Sequence, residues 1–325
     1  MKKTIWALYD DRKGSVGQAK GIVMKLGDGF DVVEKEIVYN KLAALPNWLR
    51  RSTLIGVDLE KSSPLKGEEF PDAVISVSRR TLPIALWIKK HSNGKTKIIQ
   101  LMYPGKFGTD QIDLLVISEH DRGKADGDNV FYVTGSPHRA FPEVLDEARE
   151  KWTPIFSKLP RPWTVVILGG EIKNKPVAPE NFELLAKRLL QLHEVVSGSI
   201  LVTSSRRTGK QAEDIIMNKI KDIPSYTYLW GEKKDNPIMG FYACADRIIA
   251  TGDSVSMVCE SCGTGKPVMI FSGKGWLPKK HQKFVQSLID GKYAIDIDAP
   301  NALDFVPEKR LNPAFEIADK IKEMF

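Results

Sequence analysis

The chain has 325 residues, 42% apolar and 27% charged, a usage that excludes intrinsic disorder and fibrous repeats and leaves enough length for two hydrophobic cores. Its 48 basic residues against 41 acidic ones give a net charge of +7, which suits phosphate-bearing ligands or an anionic surface. It lacks the clustered basic stripe with interleaved aromatics that nucleic-acid binding requires, so no nucleic acid is expected as a partner. The opening segment, Lys3 to Asp10, is a short apolar run stopped by an acidic pair, and reads as a first strand rather than a signal sequence.

Short β-rich runs then alternate with helical patterns, the mark of βαβ units and parallel sheets. In the first half, strands are expected over 4–9, 31–37, 73–77, 97–102, 113–117 and 130–134, with helices over 16–26, 81–91 and 141–157. Lys158-Leu159-Pro160-Arg161-Pro162 breaks the last of these and precedes Thr164-Val165-Val166-Ile167-Leu168-Gly169-Gly170, a fresh strand ending in paired glycines. A domain boundary is therefore expected there, giving domains 1–157 and 158–325. The second half continues with helices at 179–196, 210–221, 237–244, 254–263 and 279–290, and strands at 199–203, 226–230, 247–250 and 267–271. The final amphipathic segment, Pro313 to Phe325, can pack on either domain, the first included.

The stretch richest in chemistry runs from Ala245 to Val268. A strand ends at Thr251, Gly252 permits a tight turn, and Asp253 or Ser254 can cap the helix that follows. N–H groups at that helix start, with its dipole, suit a ligand diphosphate. Glu260, six residues after Ser254, is placed to accept hydrogen bonds from a ribose diol. An ordinary β-turn-α unit explains the turn alone equally well. The whole pattern, strand-Gly-Asp-Ser-helix-Glu followed by Gly265-Lys266-Pro267-Val268, resembles the donor-nucleotide region of GT-B glycosyltransferases, and in particular the family related to the plant mitochondrial fission factor. Three further stretches are similar to that family in order. They are Asp10-Asp11-Arg12-Lys13-Gly14-Ser15-Val16-Gly17, Leu114 to Asp121 with its His120-Asp121 ending, and Thr203-Ser204-Ser205-Arg206-Arg207-Thr208.

The resemblance implies an α/β protein of GT-B type, two Rossmann-like domains facing a cleft. The second domain would hold a nucleotide diphosphate sugar and the first an acceptor, a glycan or lipid-linked molecule. Gly14, Arg206, Arg207, Gly252, Asp253, Ser254 and Glu260 are the candidate nucleotide and diphosphate ligands. His120, with Asp121 as partner or alternate and Asp11 as competitor, is the candidate base, because an unperturbed histidine takes up a proton near neutral pH. The donor is a substrate, and no cofactor is expected. Asp126-Gly127-Asp128 lies in a polar loop and Asp296-Ile297-Asp298 alternates along a strand-like segment, so neither is expected to bind metal. A nucleotide-sugar 2-epimerase and a non-catalytic scaffold that recruits partners remain as alternatives.

Two smaller features complete the reading. Cys259 and Cys262 form a C-x-x-C more than a turn inside a predicted helix, where buried thiols are expected rather than a redox pair. Three cysteines close no disulfide framework, in keeping with a cytoplasmic setting. Leu42 to Arg51, with Trp48, and Trp87-Ile88-Lys89-Lys90 read as core packing with exposed basic ends; the sharper reading is docking on an anionic membrane.

Overall fold

The computed structural model describes residues 2–66 and 69–325. The chain starts with β1 (Lys3–Tyr9), α1 (Lys13–Leu26), β2 (Phe30–Glu36) and the single-turn α2 (Asn47–Arg50). It continues through β3 (Ala73–Val77), α3 (Ser78–His91), β4 (Lys97–Leu101), β5 (Leu114–Ser118) and β6 (Val130–Val133). Next come α4 (Pro142–Phe156), β7 (Trp163–Leu168), α5 (Pro179–Val196), β8 (Ser199–Ser204), α6 (Lys210–Lys219), β9 (Ser225–Tyr228) and α7 (Ile238–Cys244). Then follow β10 (Arg247–Thr251), α8 (Val255–Gly263), β11 (Val268–Phe271), α9 (Lys279–Asp290), β12 (Ile295–Asp296) and α10 (Ala314–Lys322).

Two six-stranded sheets result, ordered β2-β1-β3-β4-β5-β6 and β12-β11-β10-β7-β8-β9, every pair parallel. The expected α/β architecture with parallel sheets holds. Strands covered on both faces need apolar residues at every position, and β7 (Trp163–Leu168) is buried throughout. Val165 and Ile167 enter one cluster with Phe241, Ile248 and Phe284, while Val166 and Leu168 enter another with Phe182, Leu185 and Ile249. In the first sheet, Trp6, Leu8, Val74, Ile98 and Leu115 pack under Leu82, Ile84 and Leu86 of α3.

Contacts divide the chain into one unit of Met1–Arg139 with Asn312–Phe325 and another of Ala140–Leu311. The sequence placed the break at 158–162. The structure instead groups α4 with the second unit, because Trp152 stacks on Phe156 at 5.6 Å and Phe156 meets Trp163, Tyr226 and Phe241 at 5.2–6.0 Å. The last helix belongs to the first unit. Its Ala314, Ile317, Ala318 and Ile321 are buried, Asn312 donates to the His138 carbonyl at 3.0 Å, and Phe325 meets Phe30 edge-on at 5.7 Å. Cys259 and Cys262 are buried and form no disulfide, and burial pushes the Cys262 thiol well above its ordinary pKa. Among the described residues no helix is long and apolar enough to cross a membrane.

Candidate functional site

Ligands of doubly wound parallel sheets bind outside the carboxyl ends of the strands, where the strand order reverses. In the second unit that point lies between β7 and β10. β7 runs into Gly169-Gly170, and β10 into Gly252-Asp253. A side chain at 169 would collide with the Asp253 carboxylate, and one at 170 with the Arg207 carbonyl. The paired glycines are therefore required for close approach. Neither has a positive φ, and nor does Gly252, where a Cβ would meet Leu277 at 2.8 Å and Val285 at 3.1 Å. The chain turns at Gly252 as expected, and the crowding by Leu277 and Val285 shows that the residue is also needed for packing.

The Asp253 side chain is fully buried. Its Oδ2 accepts the Gly170 N–H at 2.9 Å and pairs with Arg207 Nη1 at 2.8 Å, while Oδ1 accepts the Thr251 hydroxyl at 2.6 Å. The same Nη1 of Arg207 donates to the Glu171 carbonyl at 2.7 Å, and the Thr208 hydroxyl donates to the Gly169 carbonyl at 2.6 Å. Burial pushes the Asp253 carboxyl above its ordinary pKa, opposed by Arg207, the Thr251 hydroxyl and the Gly170 N–H. Asp253 thus neither caps α8 nor is exposed to meet a diphosphate; with Arg207 it clamps the glycine turn against the next strand end. Arg206, beside it, is exposed and has no ion pair among the described residues.

Ser254 occupies the N-cap position of α8 with extended backbone, φ −117° and ψ 100°, yet its side chain makes no capping bond. The half-buried first turn, Val255 to Met257, therefore keeps N–H groups that need an acceptor from outside the helix, and its dipole favours an anion there. Glu260 lies about 9 Å further along the axis. The Tyr242 hydroxyl donates to its Oε2 at 3.1 Å, and burial together with Glu260 keeps that hydroxyl protonated by pushing its pKa well up.

Two neighbours escape sequence reasoning. Trp276 Nε1 donates to the Gly170 carbonyl at 3.2 Å. His281, at the start of α9, is half-buried, and its pKa is lowered by burial, then by Lys280, Arg207 and Lys173, with Asp253 pulling the other way. Only the position of their loop and helix after β11, at the carboxyl edge of the sheet, could have signalled either one.

The remaining candidates lie in the first unit, whose order reverses between β1 and β3. Asp11, just past β1, is ion-paired with Arg80, which also holds Asp10 at 3.1 Å. Hydrogen bonding from Arg80 keeps the Asp11 carboxyl below its ordinary pKa, so it is a poor base at neutral pH. Gly14 sits half-buried in the first turn of α1. His120 and Asp121 form a 3-10 turn after β5, separated from the reversal point by β4, and Asp121 pairs with Lys124 at 2.6 Å. Trp48 is 60% exposed and Leu42 53%, whereas Arg50, expected as an exposed basic end, is completely buried.

A family model described as mitochondrial fission ELM1 matches residues 13–325. The chain belongs to this family. A Rickettsia prowazekii (strain Madrid E) relative, called uncharacterized protein RP120, is 26% identical over 351 aligned positions that cover 98% of this chain and 97% of its own. Mitochondrial fission protein ELM1 of Arabidopsis thaliana is 27% identical over 224 positions, 62% of this chain and 52% of the plant protein, so the likeness spans about half of the latter. Among solved structures, UDP-GlcNAc 2-epimerase from Methanocaldococcus jannaschii superposes with a TM-score of 0.58 at 12% identity, covering 99% of both chains. The Neisseria meningitidis UDP-GlcNAc 2-epimerase bound to UDP-GlcNAc gives 0.52 at 11%, also over 99% of both. Arabidopsis thaliana UGT89C1 complexed with UDP gives 0.51 at 12%, over 99% of this chain and 90% of that one. At such identities the likeness is one of fold, and this ELM1-family chain has the GT-B architecture.

Proposed function

We propose that this ELM1-family protein is a glycosyltransferase that binds a nucleotide diphosphate sugar on its second unit. The observation that carries the reading is the uncapped start of α8 at the β7/β10 reversal point, with Glu260 nearly two turns along and held by Tyr242. The diphosphate would take the first-turn N–H groups beside Ser254 and the exposed Arg206; the ribose diol would donate to Glu260. Asp253 and Arg207 would hold the glycine turn in shape. GT-B neighbours that carry UDP-GlcNAc or UDP support a ligand of this class.

In the transfer, the bond from the sugar's anomeric carbon to the donor phosphate breaks, and its electron pair leaves on the diphosphate. The acceptor oxygen bonds to that carbon and gives up its proton. With Asp11 held ionised by Arg80 and Asp121 paired with Lys124, His120 is the group we assign to receive it. The acceptor would be a glycan or a lipid-linked molecule, and the exposed Leu42, Trp48 and Leu49 would bring the protein to a membrane surface from the cytoplasm.

Calorimetric titration with nucleoside diphosphates tests the donor site. Glu260→Ala should weaken binding by about 1.5–3 kcal/mol through loss of charge-assisted hydrogen bonds, and should leave inorganic diphosphate almost unaffected. Equal losses for both ligands would make Glu260 structural. Release of free or epimerised sugar without acceptor would move the activity to a 2-epimerase, and absence of nucleotide binding would leave a scaffold.

A further inference from the structure

The reversal point of the first sheet carries a second group of polar residues, distinct from the nucleotide site proposed on the second unit. β3 leads directly into α3 at Ser78, which is buried and adopts φ +70°, a left-handed conformation that costs a non-glycine residue on the order of 1 kcal/mol or more. Folds keep such strain where a local geometry is needed. The Ser78 hydroxyl, 8% exposed as a residue, has no hydrogen-bond partner among the described residues.

Around it stand Arg50, Arg80, Tyr39 and Asn47. Arg50 is 0% exposed and pairs with no carboxylate among the described residues. Its Nε donates to the Ile55 carbonyl at 2.9 Å, its Nη1 to the Arg80 carbonyl at 3.0 Å, and its Nη2 to nothing described. Arg80 is occupied by Asp10 and Asp11 through its terminal nitrogens, while its Nε is unpaired. Both guanidiniums lie over the Tyr39 ring, at 5.9 Å and 4.6 Å, and the Tyr39 hydroxyl is also buried without a partner. Asn47 spends its amide N–H groups on the Arg79 and Pro104 carbonyls, at 3.0 Å and 3.5 Å, and leaves its amide oxygen with no donor. Arg79 and Arg80 press on Arg50 with like charge.

A buried guanidinium without a counter-ion is costly, and so is each buried polar atom without a partner. The unmet donors, from Arg50, Arg80, Ser78 and Tyr39, call for a many-oxygened anion, and the unmet acceptor on Asn47 calls for a hydroxyl beside it. All lie where an α/β sheet of this order binds ligands. We infer that the first unit binds a phosphate group borne on a hydroxylated molecule at the β1/β3 reversal point, through Arg50, Arg80, Ser78 and Tyr39, with Asn47 receiving the neighbouring hydroxyl. The mouth lies at Arg80, whose side chain is 14% exposed, and Asp11, at 63%.

Ser78→Ala and Tyr39→Phe each remove a hydroxyl that has no partner, so neither should lower the melting temperature of the unliganded protein. Titration of the full chain with inorganic phosphate and with glycerol 3-phosphate is expected to show binding, tighter for the second, and each variant should weaken both by roughly tenfold. Lys187→Ala, at an exposed position of the second unit, should leave both affinities unchanged. Sedimentation with phosphatidic acid vesicles that soluble glycerol 3-phosphate reverses would put the phosphate on a lipid; binding of the soluble ligand without sedimentation would put it on a soluble molecule, and either result supports the site. No phosphate binding by the wild type, unchanged affinity in both hydroxyl variants, or a loss confined to Lys187→Ala would overturn the inference and leave solvent alone to satisfy these atoms.

Discussion

Asp253 and Arg207 share one hydrogen-bonded cluster with the Gly169-Gly170 turn, and its energetics are those of a buried charge with a half-buried partner. Asp253→Ala strands the guanidinium and frees the Gly170 N–H, so unfolding in urea should show a loss of about 3 kcal/mol, at the low end for a broken buried pair because Arg207 is 30% exposed. His281 adds a pH dependence. Its folded-state pKa is depressed below 6.5, so the unfolded chain binds the proton first. The stability it contributes is complete above pH 6.5 and falls as pH drops through that value toward the folded pKa. An NMR titration of the ring should give a midpoint below 6.5, lower again in Asp253→Asn and higher in Arg207→Met. None of this was legible in the sequence. Asp253 follows a strand and precedes a helix, which is the pattern of a cap; that its carboxylate turns inward is decided by Arg207 and Gly170, 46 and 83 positions away in the chain. Arg50 misleads in the same way, since a basic residue beside a tryptophan reads as surface until the carbonyls of Ile55 and Arg80 are brought to it.

At the level of elements the sequence speaks more clearly, because periodicity and punctuation are local. The helices over Pro179–Val196 and Lys279–Asp290 have the limits their apolar spacing and flanking prolines predict, and β3 (Ala73–Val77) stands where its short β-rich run, with Val74, Ile75 and Val77, put it. The two-residue β12 and the four-residue α2 are too short for any period to register. Gly252 shows that a glycine read as a turn can be held by packing as well. Gly252→Ala should cost about 1–3 kcal/mol by overpacking against Leu277 and Val285, with no gain from Leu277→Ala alone but partial recovery when the two are combined, as thermal melts of the three variants would show. The amphipathic α10 announced that it needed a partner without saying which, since an apolar stripe carries no address.

Across the whole molecule the backbone leaves the first unit after Arg139 and returns to it at Asn312. Ile317 and Ile321 of α10 are fully buried, and each such side chain is worth about 1.5–3 kcal/mol. Removing 312–325 should therefore unfold the first unit at a lower temperature while the second, continuous in sequence, keeps its own cooperative transition; calorimetry would resolve the two. The same return has a consequence for biosynthesis. Translation usually lets the N-terminal domain fold first. Here the ribosome must finish the last helix before the first unit is complete, so the face of α1 that α10 covers stays open until the whole second unit, about 170 residues, has been made. The second unit, though made later, is the first that can reach its final state, and a nascent chain stalled just short of Asn312 would present one finished domain attached to one still in need of a chaperone.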